Sequence, residues 1–221
     1  NALKDLDKAI DLDPENPRRY NNRADFYKTQ ENYYEALKDY ATVIEISTDN
    51  YSTARAINNR AMIYEYQEKY DLAIKEYTEA LTFLDHPIIY SQRASVYLYL
   101  EDYENALADF TKAIELDKDN SERYWYRADC YEAIEDYTNA LKDLDKAIEL
   151  SLENPNYYNE RGRFYMRQEK NDLALTDFAS ALKIDPTYAW AMNNNAIIYN
   201  KQEKYDLAIE EYTKAIELSS T

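Results

Sequence analysis

Apolar residues return along this chain at steps of three and four, in two alternating kinds of segment. The first kind reads like Tyr20-Asn-Asn-Arg-Ala-Asp-Phe-Tyr27 and the second like Tyr33-Tyr-Glu-Ala-Leu-Lys-Asp-Tyr40. Such steps gather apolar side chains on one stripe of an α-helix. Prolines fall where helices tolerate them. Pro17, Pro87 and Pro155 open segments of the first kind, where a missing N–H loses no partner. Asp13-Pro14 and Asp185-Pro186 close segments of the second kind. The pattern predicts helices joined by short turns along the whole length.

The second kind of segment recurs as variants of Ala-Leu-Lys-Asp-Leu-Asp-Lys-Ala-Ile. Its first alanine falls at Ala2, Ala36, Ala73, Ala106, Ala140, Ala174 and Ala208, at intervals of 34, 37, 33, 34, 34 and 34. A two-helix unit of about 34 residues cannot bury its apolar stripe alone and must stack on its neighbours. This period and content resemble the tetratricopeptide repeat family over essentially the whole chain. The repeats read as a half repeat at 1–16 with a second helix only, then 17–53, 54–86, 87–120, 121–154, 155–188 and 189–221. The resemblance implies an all-α fold, a right-handed superhelical solenoid of antiparallel helix hairpins. The 37-residue interval adds residues near Ser47 to Thr53, as a longer loop or an extra helical turn.

Two sets of slots carry the expected packing. Small residues hold one position of the first helices, at Ala24, Ala61, Ala94, Ala128, Gly162 and Ala196. Large ones form columns at Tyr27, Tyr64, Tyr97, Tyr131, Tyr165 and Tyr199, and at Leu6, Tyr40, Tyr77, Phe110, Leu144, Phe178 and Tyr212. Large side chains facing small ones set the spacing between helices. Where the family places a glycine between the helices of a hairpin, this chain has Glu31, Glu68, Glu101, Glu135, Glu169 and Glu203. That departure questions the usual turn, because a side chain strains a left-handed backbone.

One charge pattern shares the period. Arg23, Arg60, Arg93, Arg127 and Arg161, with Asn195 breaking the row, precede the small residue of each first helix. Asp5, Asp39, Glu76, Asp109, Asp143, Asp177 and Glu211 precede the large residue of each second helix. These rows are expected to pair between helices, within a hairpin or across to the next, at about 0.2–1 kcal/mol per exposed pair. The alternative is an arginine row that grips an acidic ligand.

Composition narrows the function. Lys+Arg 26 against Asp+Glu 43 leaves a net charge of −17, which argues against nucleic acid as a partner. His86 is the only histidine, in an expected turn, and Cys130 the only cysteine, in an apolar column. Neither a multi-histidine metal site nor an intramolecular disulfide can form, and one glycine cannot build a phosphate loop. No catalytic residues, cofactor site or metal site are expected, and the chain does not read as an enzyme. No apolar run is long enough for a membrane span. A lone thiol fits a reducing compartment such as the cytoplasm.

The function that remains is a scaffold holding a protein or peptide. The resemblance implies that first helices line a concave groove, where Asn21, Asn22, Asn58, Asn59, Gln92, Trp125, Tyr126, Asn159, Asn193 and Asn194 would face a ligand. Met62, Asp129 and Arg163 follow one turn on. Side-chain amides both donate and accept, so they suit a peptide backbone. The alternative is that Asn does no more there than solvate an exposed helix face. Near Trp125 and Tyr126, the acids Glu122, Asp129 and Glu132 suggest a basic or aromatic-contacting segment. Some family members hold chaperone tails with a carboxylate clamp, but the lysine slot here carries Asn21, Asn58, Ser91, Trp125, Asn159 and Asn193. Asn1 falls inside a repeat, so a fragment of a longer array is expected. The rival role is a structural spacer, or a segment that self-associates end to end.

Overall fold

The computed structural model describes residues 2–219, which form thirteen α-helices. In order they are α1 (Ala2–Leu12), α2 (Pro17–Thr29), α3 (Tyr33–Ile46), α4 (Asn50–Tyr66), α5 (Tyr70–Phe83), α6 (Pro87–Tyr99) and α7 (Tyr103–Leu116). Then follow α8 (Ser121–Ala133), α9 (Tyr137–Leu150), α10 (Pro155–Arg167), α11 (Asn171–Ile184), α12 (Ala189–Lys201) and α13 (Tyr205–Ser219). Even-numbered helices are first helices and odd-numbered ones second helices. Contacts divide the chain into one unit ending at Asp117 and another beginning at Lys118. Within each, a first helix packs on the second helix that follows it and on the one before.

The helix ends follow from the local sequence. Pro17, Pro87 and Pro155 occupy the first turns of α2, α6 and α10. Asn16, Asn32, Asp102, Asn120, Asp136 and Asn154 cap N-termini with side-chain oxygens. His86 caps α6, its Nδ1 accepting the Ile88 N–H at 3.3 Å, which makes it a turn residue. The additional residues of the long interval form an extra helical turn. Helix α4 has 17 residues where α2 and α6 have 13, and the Asp49 carboxylate accepts the Ser52 N–H at 2.7 Å. The seam drawn between 53 and 54 therefore falls inside a helix.

Every hairpin turn keeps a left-handed residue although none is glycine. Glu31, Glu68, Glu101, Glu135, Glu169 and Glu203 have φ between 57 and 62°. At the first, the Glu31 N–H reaches the Lys28 carbonyl at 3.0 Å and the Asn32 N–H reaches that of Tyr27 at 2.9 Å, closing the helix. A side chain in this region costs about 1–2 kcal/mol, and the departure from glycine changes that cost while leaving the turn unchanged.

Large-against-small packing forms the core. Tyr40, Tyr77, Phe110 and Phe178 are fully buried, as are Ala36, Ala73, Ala106, Ala140 and Ala174. A Cβ added at Gly162 would lie 2.5 Å from the Phe178 ring, so only glycine admits that ring. Tyr27, Tyr64, Tyr131 and Tyr165 pack half-buried against these clusters.

The two rows pair within hairpins, and two of the arginines also reach acids outside the row on the preceding second helix. Arg23, Arg93, Arg127 and Arg161 each grip the acid 16 residues on with two hydrogen bonds. Arg60 pairs with Glu76, and Asn195 donates to Glu211 at 3.3 Å. Arg23 and Arg161 reach back as well, to Asp7 at 2.8 Å and Asp145 at 2.7 Å. The expected scale for exposed pairs does not apply, because Asp39 and Asp143 are 3% exposed. Removing the partner of a buried carboxylate costs about 3–5 kcal/mol. Tyrosines flank the guanidinium: Arg23 lies 5.9 Å from the ring centres of Tyr20 and Tyr27. With its fork filled in this way, the row is structural.

Candidate partner-binding face

In the first unit α2 and α4 lie side by side, and polar residues close the seam between them. The Asp25 carboxylate is the hub. It accepts from the Arg55 guanidinium, from Asn59 Nδ2 at 3.0 Å and from the Tyr40 hydroxyl at 2.5 Å. Lys28 Nζ donates to Asn59 Oδ1 at 2.9 Å, and burial lowers its pKa. Asn59 is thus spent on joining two repeats. Asn22 is exposed and Asn21 is buried. Asn21 Oδ1, Asn58 Oδ1 and Gln92 Oε1 are buried with no hydrogen-bond partner among the described residues. Met62 packs half-buried against the core, with Asn58 Nδ2 3.9 Å from its sulfur.

In the second unit the corresponding face is built differently. Trp125 stacks on Tyr126 with ring centres 4.8 Å apart, and meets Tyr157 edge to face at 6.0 Å. Its indole N–H is buried and finds no partner among the described residues. Asn194 donates to Asn159 at 2.9 Å, and Asn159 donates to Glu160 at 3.2 Å. Glu160 also holds Arg163 at 2.9 Å, while Arg167 forks onto Glu132. Asp129 takes no hydrogen bond from any described residue. Burial, then Glu160 and Glu132, push its carboxyl up to about 7, against the opposing pull of Arg167 and Arg163.

A cavity of about 450 Å³ opens between α10 and α12. Asn159, Arg163, Asn193 and Asn194 line it, four residues that the sequence placed on the binding face. Glu160, Tyr188 and Trp190 complete the wall, and Trp190 is 70% exposed. Tyr188 donates to Asn156 Oδ1 at 2.6 Å. Sequence reasoning missed Trp190, although its slot was legible. It occupies the position of Arg18, Arg55 and Glu122.

Elsewhere, burial pushes the Cys130 thiol up to about 12, which makes it a poor nucleophile. No group of three His, Cys, Asp or Glu side chains that could hold a metal ion forms among the described residues. No described helix is long and apolar enough to cross a membrane.

Stacked helix hairpins with a polar, aromatic-studded first-helix face define an all-α repeat protein of the solenoid class. Tetratricopeptide repeat family models match residues 20–86 and 153–221, 87–120, and 122–154. The chain belongs to the tetratricopeptide repeat family, whose members are typically non-catalytic protein-interaction scaffolds. No curated protein sequence matches it. Among solved structures it is similar to the C-terminal part of a repeat-containing protein from Cytophaga hutchinsonii, with 19% identity and a TM-score of 0.78, covering 100% of this chain and 90% of that one. A tetratricopeptide repeat protein from Parabacteroides merdae shows 22% identity and a TM-score of 0.70, over 98% and 85%. YrrB, described as having an unusual peptide-binding site, shows 22% identity and a TM-score of 0.67, over 85% and 95%.

Proposed function

We propose that the chain holds a peptide or protein partner along its first helices, with the α10–α12 cavity as the anchoring point. The observation that carries this reading is the cavity itself, where an exposed tryptophan stands among amides. Trp190 supplies apolar area, and Asn193 supplies donors and acceptors. The exposed Asn22 and the half-buried Asn58 and Gln92 extend the polar face through the first unit. A net charge of −17 favours a protein partner over nucleic acid. The test is calorimetric titration of a partner recovered by affinity capture, repeated with Trp190→Ala. Loss of an aromatic anchor should weaken binding about tenfold or more. Unchanged affinity for both Trp190→Ala and Asn193→Ala would end the reading.

Self-association is a second reading, favoured by α13. Ile209 and Ile216 are 63% and 66% exposed, whereas Leu175 and Leu182 pack half-buried at the same slots of α11. Light scattering separates the readings, since mass that rises with concentration supports association.

A further inference from the structure

The two units differ at four matching positions. In the first, the hub Asp25 is met by Tyr40 from its own hairpin and by Arg55 and Asn59 from the next, with Lys28 beside it. Counting from the small residue of each first helix, the second unit puts Asp129 at the Asp25 position. The Tyr40 position holds Leu144, the Arg55 position Asn156, the Asn59 position Glu160 and the Lys28 position Glu132. The three donors to the carboxylate are gone, and acids replace Asn59 and Lys28.

We infer that the seam between α8 and α10 receives the guanidinium of an arginine on the bound partner, taking the place that Arg55 fills in the first unit. This rests on the groove reading above and names the chemistry of one contact in it. The Asp25–Arg55 pair shows that the seam between neighbouring first helices admits a guanidinium on this carboxylate. Glu160 both acts on the Asp129 carboxyl and stands in the wall of the α10–α12 cavity, so the seam and the cavity adjoin at this residue. The two basic residues nearby do not substitute for the ligand. Arg167 is held by Glu132 and Arg163 by Glu160, and neither donates to Asp129. Trp125 on α8 and Tyr157 on α10 meet edge to face across this seam at 6.0 Å, and such aromatic faces suit the apolar stem and flat face of an arginine. A metal ion does not fit, since the acids do not gather as a metal-holding group among the described residues. In the free protein, burial beside Glu160 and Glu132 keeps the Asp129 carboxyl largely protonated up to about pH 7.

The experiment uses the full chain, carboxyl-labelled for carbon NMR, titrated with N-acetyl-arginine amide at pH 6 and pH 8. A saturable shift of the Asp129 carboxyl carbon is expected. Affinity should be about tenfold greater at pH 8, because the ionised fraction of a group titrating at about 7 rises by that factor. The Glu132 and Glu160 carboxyl carbons should shift with it, and those shifts should be lost in Asp129→Asn. Asn156→Arg with Glu160→Asn should abolish the Asp129 shift, by supplying the internal arginine of the first unit. No saturable shift, equal Glu132 and Glu160 shifts in Asp129→Asn, or equal binding of N-acetyl-lysine amide would each overturn the assignment. The ligand is a single amino acid and the readout is the carboxyl itself. Failure here therefore leaves the Trp190 measurement standing, and failure there leaves this one interpretable.

Discussion

The units on either side of Asp117 share a backbone plan and differ in how they use it. Both stack large side chains on alanines, both turn through left-handed glutamates, and both clamp hairpins with an arginine and a buried acid. On the first-helix face they diverge. Asp25, Lys28, Arg55 and Asn59 hold two basic side chains and one acidic one, and the matching Asp129, Glu132, Asn156 and Glu160 hold three acidic side chains and no basic one. The first unit closes its seam from within, whereas the second leaves an acid without a donor beside an open cavity. Positions that set helix spacing tolerate little change, since close-packed interiors respond to single methylenes. The half-exposed face is free to change sign.

The strongest test of what is shared replaces the clamp in each unit. Arg93→Met and Arg161→Met should each destabilise by about 3–5 kcal/mol, because Asp109 and Asp177 would be left buried without a partner. Urea denaturation checks this, and a large difference between the two would break the claim of a common frame.

Asparagine at the two hub positions should act with opposite signs. Asp25→Asn removes the charged acceptor of Arg55, Asn59 and Tyr40, a loss of about 1–3 kcal/mol. Asp129→Asn should stabilise at pH 8 by on the order of 2–4 kcal/mol. The sign follows from linkage. The folded pKa of Asp129, about 7, lies above its unfolded value, so folding opposes ionisation. That penalty grows as pH rises from about 4 to 7 and is full above it. The gain should therefore vanish near pH 4, and a gain independent of pH would remove the account of Asp129.

The smallest effect concerns the turns. Glu68→Gly and Glu135→Gly relieve a side chain at φ 59° and 62°, against the entropy of a new glycine. Each should raise stability by about 0.5–1 kcal/mol, equally in both units. A loss at either position would mean that the glutamate side chain contributes more than its backbone strain costs.

Much of the frame was legible because repetition exposes it. Periodic alanines and aromatics located the hairpins, and arginine and acid rows of one period located the clamps. The candidate face was legible by slot but not by use. Asn59, Asn159 and Asn194 all lie on it, and all three bond other side chains of the protein. A slot says which side a residue faces and leaves open which neighbour claims its hydrogen bonds. Trp190 escaped notice for a related reason, since its worth comes from the cavity beside it.

What the sequence by itself determined is the one-dimensional order: helix, turn, helix, and the columns that repeat with them. Local propensity and period act over a few residues, so they can be read along a line. Burial of the clamps, the closed network at Asp25 and the donorless carboxylate at Asp129 were decided only by the tertiary structure. Each depends on which side chains, 15 to 34 residues apart, arrive at the same seam, and on how much water that seam excludes.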